Sequence, residues 1–334
     1  MTPDSENESL FPHDGARAHA PAEPPAPPPA AARPLPAAAA VLVGAACAVL
    51  GLAPWLVTGV SLPLQNIWRE VTRPEDMPLA LLPLSQYFLV ATVAMVVVGS
   101  ALAGAASRLA SRRGRPPRLW LVAAGAMAVQ SVALAQAAVV LASGLEDSAR
   151  ARVYLWGMVV GVCVGIVVGL LVMVGIGRAG TAGATIAITF GALALSEWLP
   201  TLIYPIGAAP SYDVPLFLSH VVRWLPVVTV ALAVGWCGAA SVRRAAASVT
   251  SLLALWIVPS AVIAFSHAVG SRVYLQNPSE LIPAGLQVFR GALTSASTAQ
   301  HVLVAVVGAL MVGIALFAAR TVRDTPIEGP AENA

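Results

Sequence analysis

Eight continuous apolar runs constrain the fold of this chain more than any other feature. Each is long enough to cross a bilayer, whose hydrocarbon core needs about 20 helical residues. Because lipid offers no partner to an open sheet edge, each continuous run predicts a helix. The sequence therefore predicts an all-α, polytopic integral membrane protein with about eight transmembrane helices. The runs cover residues 37–59, 85–106, 119–142, 154–177, 183–205, 220–240, 248–268 and 299–319.

Composition supports lipid as the main solvent of the chain. Hydrophobic residues make up 58% of the 334 residues and charged residues only 10%, whereas a soluble domain carries roughly a quarter. All 19 basic residues are arginines, and they lie in short connections without forming a continuous patch. This distribution indicates the lipid bilayer as the partner and no nucleic acid.

Cysteine spacing and signature motifs exclude several classes of chemistry. Cys47, Cys163 and Cys237 lie inside apolar runs without Cys-x-x-Cys spacing, so neither a disulfide framework nor a metal site is predicted. The sequence also lacks the phosphate-binding loop of ATPases and the common metalloprotease and hydrolase motifs,. We therefore predict no metal and no cofactor.

The two ends of the chain differ in composition from the apolar runs. Residues 1–35 are rich in proline and alanine, which is typical of a disordered tail, and they lack the pattern of a secretory signal peptide. The sequence predicts three regions: a disordered cytoplasmic tail at 1–35, a transmembrane domain at 36–322 and a short cytoplasmic tail at 323–334.

Arginine distribution predicts the orientation of the chain. With an internal N-terminus, eleven arginines lie on the inner side and six on the outer side, and the acidic residues of the connections all lie outside. This asymmetry predicts cytoplasmic termini and a multi-pass protein of the cell (cytoplasmic) membrane.

Two outer connections, 60–84 and 269–298, are long enough to hold structure of their own. Both contain helical spacing, in "LPLQNIWREV" and "LIPAGLQVFRGAL". We expect these pieces to lie flat at the outer interface, anchored by Trp68 and Phe289.

A glycine stripe follows one face of the fourth run. Gly157, Gly161, Gly165 and Gly169 recur every four residues, and glycine at that spacing allows another helix to approach closely. The stripe indicates tight packing inside the chain or, as the alternative, a face for self-association or a membrane-protein partner.

Five ionisable residues from four predicted helices fall at one depth. Glu197 lies 14 residues beyond Gly183, which is about 21 Å into a hydrocarbon core of about 30 Å. The same outer layer contains His220, Arg223, His267 and His301. A carboxylate at this depth is costly unless paired, hydrated or protonated, and is therefore a candidate functional group.

This layer has three interpretations. In the first, Glu197 and Arg223 form an ion pair that only fixes the hairpin of runs five and six. In the second, the layer is a polar site that opens outward and binds or gates a solute. In the third, the histidines bind a metal or haem, although no His-x-x-x-His spacing supports this. Prolines in the outer halves of the helices favour the second interpretation slightly, namely Pro54, Pro200, Pro205, Pro226 and Pro259,.

Two glutamines of the third run have a structural interpretation. Gln130 lies near mid-membrane in the third run and Gln136 further out. Interhelical hydrogen bonding is the expected role of each.

Three functions from different classes fit these features. A transporter or permease-type subunit would use an outward-facing site around Glu197 and Arg223. A non-catalytic membrane subunit would turn its glycine stripe toward a partner. An envelope enzyme would use Glu197 with a histidine, and it requires a histidine closer to Glu197 than Arg223 is.

Overall fold

The computed structural model describes residues 34–204, 206, 215–271 and 278–324. Nine α-helices lie within these ranges, and eight of them are long and apolar enough to cross a membrane. The membrane-length helices confirm the predicted all-α, polytopic fold. The helices are α1 (Ala37–Leu56), α2 (Leu89–Arg112), α3 (Leu119–Gly144), α4 (Ala149–Arg178), α5 (Thr181–Ile203), α6 (Leu216–Cys237), α7 (Val242–Gly270), α8 (Pro278–Leu293) and α9 (Ala296–Asp324).

Several helices extend beyond the apolar runs that predicted them, because polar caps lie outside those runs. The Ser148 hydroxyl accepts a hydrogen bond from the Ala151 amide at 3.1 Å and begins α4 five residues before the predicted start. Ser241 caps α7 in the same way. Side-chain oxygens at this position satisfy amides that have no partner inside the helix.

Most of the predicted tails lies outside the described residues, as does the greater part of the α5–α6 connection, from 207 to 214. Pro205, one of the five helix prolines of the sequence analysis, is also outside them. The other four lie inside α1, α5, α6 and α7, respectively.

The helices pack in two groups joined by α5. In the first group, α2 contacts α1, α3 and α4, and α1 also packs along α3. In the second group, α6 and α7 contact each other and both contact α9. Helix α5 contacts α2 and α4 on one side and α6 and α7 on the other. Helix α5 therefore lies between the two groups.

Helices α1 and α3 cross at a reciprocal pair of glycines. A Cβ atom added at Gly44 would overlap the backbone carbonyl of Val122, and one added at Gly125 would overlap that of Val41. Only glycine permits backbones to approach this closely.

The segment between α1 and α2, residues 57–88, is the largest departure from the predicted structure. The stretch "LPLQNIWREV" is not helical. Backbone bridges join Ser61 to Leu79 and Trp68 to Leu145. The Trp68 ring packs over Gly144 at the end of α3. We call residues 57–88 the cap segment, because it covers the ends of the first helix group.

The helical expectation for this stretch fails because its backbone pairs with other parts of the chain. The Arg69 amide donates to the Gly144 carbonyl at 2.8 Å, and the Glu146 amide donates to the Ile67 carbonyl at 3.1 Å. Leu62, part of the helical pattern, is buried in the first group's core. The second stretch, "LIPAGLQVFRGAL", is helical as predicted and lies in α8, which packs along α7.

Substituting Gly125 by alanine tests the α1–α3 crossing. The added methyl group overlaps the Val41 carbonyl, and such overpacking costs about 1–3 kcal/mol. We expect a lower midpoint of thermal unfolding, followed by tryptophan fluorescence in detergent micelles.

Gly157→Ala is the matched control, since a Cβ there meets nothing within 4 Å. In a helix, alanine is favoured over glycine by up to about 1 kcal/mol, so this variant keeps or raises the midpoint. Equal losses in both variants would contradict the close crossing.

Candidate functional site

Helix α5 presents Glu197 one turn beyond the core of the second helix group. Leu193 lies four residues earlier, so both residues share a helix face. Leu193 belongs to a buried cluster with Val230 of α6 and Leu255 of α7. The Glu197 side chain is half-buried. It therefore lies on the α5 face that is directed toward the second group.

The neighbouring residue fixes the other side of α5. The Trp198 indole N–H donates a hydrogen bond to the Gly51 carbonyl of α1 at 2.7 Å. Successive helical side chains point about 100° apart. The anchoring of Trp198 on α1 therefore holds α5 in a fixed rotation about its axis and fixes the direction of Glu197.

Arg223 joins α6 to α9. Its Nε donates to His301 Nε2 at 3.3 Å, and its Nη2 donates to Gln300 Oε1 at 3.4 Å. The guanidinium carbon also lies 5.4 Å from the Trp224 ring centroid. Trp224 in turn packs edge-to-face with His301, at 5.2 Å between ring centroids. Because His301 Nε2 accepts this hydrogen bond, its imidazole is neutral with the hydrogen on Nδ1,.

The expected ion pair between Glu197 and Arg223 is not formed. Among the described residues the salt bridges are Arg73–Glu75 and Arg152–Asp147, both exposed, the first in the cap segment and the second at the start of α4. Arg223 points toward α9, whose position beside α6 the sequence order did not reveal. Within the described part of the chain, Glu197 makes no hydrogen bond or ion pair.

Both remaining histidines of the layer are exposed. His220 Nδ1 hydrogen-bonds the Leu216 carbonyl of its own helix at 2.8 Å, and His267 lies in the last turn of α7. Of the five predicted residues, the structure therefore brings Arg223 and His301 into contact. The described residues contain no group of three or more His, Cys, Asp or Glu side chains placed to hold a metal.

The glycine stripe of α4 lies mainly against α2. Gly161 and Gly165 face the side chains of Leu89 and Val93, and Gly169 faces Ser100. Gly157, at the start of the stripe, meets nothing within 4 Å.

The two glutamines make the structural hydrogen bonds expected of them, although Gln136 does so with a different partner. Gln130 Nε2 donates to the Val96 carbonyl at 3.0 Å and to Ser100 Oγ at 3.1 Å, which links α3 to α2. Gln136 bonds the cap segment instead of a helix: its amide group pairs with the Leu79 carbonyl and the Leu81 amide.

A groove between α2, α5 and α6 was missed by the sequence analysis. It has a volume of about 530 Å³, an apolar wall, and Arg108 and Arg112 among its lining residues. Arg108 Nη1 donates to the Ile176 carbonyl at 2.7 Å and the Ala179 carbonyl at 3.3 Å, at the end of α4. Its guanidinium also lies 5.5 Å from the Trp236 ring. The one sequence feature that pointed to this groove was the pair of arginines four residues apart, which places both on one face of α2.

Together the eight apolar helices define a multi-pass α-helical membrane protein. Comparison with known proteins finds no matching protein family, curated protein or solved structure.

A double-mutant cycle tests the α6–α9 contact. Arg223→Ala and His301→Ala remove the same hydrogen bond, so their effects on the free energy of unfolding should couple by about 0.5–1.5 kcal/mol. Arg223→Ala and Glu197→Ala make no shared contact and should be additive within about 0.5 kcal/mol. Thermal unfolding in micelles measures both cycles. If Arg223 coupled with Glu197 and not with His301, the ion-pair interpretation would be correct.

Proposed function

We propose that this protein is a transporter or permease-type subunit of a bacterial cytoplasmic membrane, with Glu197 as a solute-binding group. One observation carries the proposal: Glu197 is a half-buried carboxylate within a membrane-length helix and has no hydrogen-bond or ionic partner among the described residues. An ionisable group at membrane depth costs several kcal/mol, and such groups usually line solute or ion pathways.

The proline that follows adds a second oxygen ligand beside this carboxylate. Pro200 lies inside α5 and has no N–H to donate to the carbonyl of Ser196, four residues before it. The Ser196 carbonyl and the Glu197 carboxylate are therefore adjacent oxygen groups on one helix. Transporters use such interrupted helices to coordinate cations. The site chemistry favours a proton, a metal cation or a cationic organic group as the solute.

The contacts of Arg223 support this assignment. Because its guanidinium bonds Gln300 and His301 on α9, it does not neutralise the carboxylate.

The two alternative functions have less support from the contacts. A subunit that used the glycine stripe for a partner would leave it open, whereas three of its four glycines face α2. An enzyme using Glu197 with a histidine needs the two within reach, whereas His301 bonds Arg223 and no described histidine pairs with Glu197.

Cysteine accessibility tests whether water reaches Glu197. We expect Glu197→Cys, in a chain whose three native cysteines are replaced by alanine, to react with a membrane-impermeant cationic methanethiosulfonate reagent. Intact cells are labelled, and modification is read by mass spectrometry.

Three positions calibrate this experiment. Asp147→Cys lies in an exposed connection and should label fully. Leu193→Cys is buried and Leu202→Cys is an exposed apolar position, so both should stay unlabelled, the second because it faces lipid. If Glu197→Cys behaves like Leu202→Cys, the carboxylate faces lipid and the transport proposal fails.

Reporter fusions test the proposed orientation. Of the described segments on the side of the chain ends, residues 113–118 contain three arginines and the start of α7 contains Arg243 and Arg244. Neither segment contains an acidic residue, which favours the cytoplasm. A green fluorescent protein fused after Ala334 should fluoresce in bacterial cells, and alkaline phosphatase inserted at Asp147 should be active. The reverse pattern would contradict cytoplasmic termini.

A further inference from the structure

The groove between α2, α5 and α6 follows one face of α2 along most of one leaflet. Its lining residues on α2 recur at helical spacing from Val98 through Leu102 and Ala105 to Arg108 and Arg112. Arg112 lies 14 residues after Val98, which is about 21 Å further along the helix. Half of a bilayer's hydrocarbon core is about 15 Å. The groove thus reaches from the end of α2 to the middle of the membrane.

The wall of the groove is apolar along this length. Leu195 and Ile188 of α5 and Thr229 of α6 line it together with the α2 face. Thr229 is the only polar residue of these three, and its hydroxyl donates a hydrogen bond to the Leu225 carbonyl at 2.8 Å. Such a surface binds hydrocarbon and gives a soluble polar molecule few partners.

Positive charge is concentrated at one end of the groove. The contacts of Arg108 with the end of α4 and with Trp236 hold its guanidinium in place. The guanidinium has five N–H donors, and those on Nε and Nη2 bind nothing within the described residues. Arg112, one turn further, is exposed. The described connection 113–118 and the first turn of α7, which contains Arg243 and Arg244, add arginines without a carboxylate on this side.

We propose that the groove binds one phospholipid with an anionic headgroup, taken from the leaflet on the side of the chain ends. One acyl chain lies along the α2 face, and Arg108 and Arg112 bind the phosphate. Arginine pairs with phosphate through parallel charge-assisted hydrogen bonds, and basic pockets between transmembrane helices bind anionic lipid headgroups. Selective binding needs both the acyl chain in the groove and the charged headgroup on the arginines, since the apolar wall alone would accept any lipid. This site lies apart from Glu197 and is independent of the proposed transport.

A lipid titration tests the site on the full chain purified in a neutral detergent. Dioleoylphosphatidylglycerol and dioleoylphosphatidylcholine have the same acyl chains and differ in charge. Native mass spectrometry measures the lipid-bound fraction at each concentration. We expect phosphatidylglycerol to bind tighter, and Arg108→Gln/Arg112→Gln to weaken it by about 30-fold, the effect of two arginines near a lipid headgroup. Phosphatidylcholine binding should be unchanged in this variant.

Two further variants separate the contributions of charge and groove. Arg113→Gln/Arg115→Gln removes the same charge from the adjacent connection, outside the groove lining, and should retain the preference for phosphatidylglycerol. Leu102→Trp fills the groove at an exposed position and should weaken both lipids. Arg112→Gln alone leaves the Arg108 contacts with α4 intact, so its loss of affinity would not be due to misfolding.

Three results would overturn the proposal. Equal affinities of the two lipids for the unmodified protein would exclude recognition of the headgroup. An equal loss in Arg113→Gln/Arg115→Gln would show general surface charge instead of a site. Competition of glycerol phosphate with phosphatidylglycerol at equal concentration would show a free-anion site that does not need the groove.

Discussion

The fold depends on one constraint: hydrocarbon supplies no hydrogen-bond partners, so the protein must pair its own backbone groups. Eight segments meet this constraint as helices. The cap segment, which is irregular apart from a short 3₁₀ helix at Pro74–Asp76, meets it through backbone pairing and through side chains. Trp55 donates to the Ala80 carbonyl at 2.7 Å, and the Gln136 amide group pairs with two backbone groups of the segment. Tyr154 donates to Gln65 Oε1 at 2.7 Å and accepts from the Gln86 amide at 3.2 Å. These polar contacts make an irregular segment compatible with burial among Leu62, Leu82 and Leu84.

The two proposed sites use different faces of α5. Ile188 and Leu195 line the groove. Glu197, two residues after Leu195 and so about 200° around the helix from it, is directed toward the second helix group, and Trp198 fixes the rotation of α5 against α1. Helix α5 could pass a rotation from one site to the other only if the hydrogen bond from the Trp198 indole to the Gly51 carbonyl broke. Anchoring by Trp198 therefore favours two independent sites.

Sequence predicted the helices well and the contacts between them poorly, for a physical reason. A continuous apolar run has one stable form in lipid, so α1 to α7 and α9 could be read from the chain, as could the amphipathic α8. The non-helical form of the cap segment depends on Gly144 and Gln136 of α3, which no local pattern indicates. Arg223 was assigned to Glu197 because α5 and α6 are consecutive, whereas its partners lie on α9, 77 and 78 residues away. The groove depends on how three helices meet and could not be predicted.

The contact between α6 and α9 has a consequence for how the protein is made. Membrane helices leave the ribosome in order, and α6 is complete long before α9 is synthesised. Until then Arg223 has neither His301 nor Gln300 to bind, and Gly235 lacks the backbone of Ala309 against which it packs. During biogenesis the second helix group is therefore an open half-structure with an unpaired guanidinium, and insertion of α9 closes it.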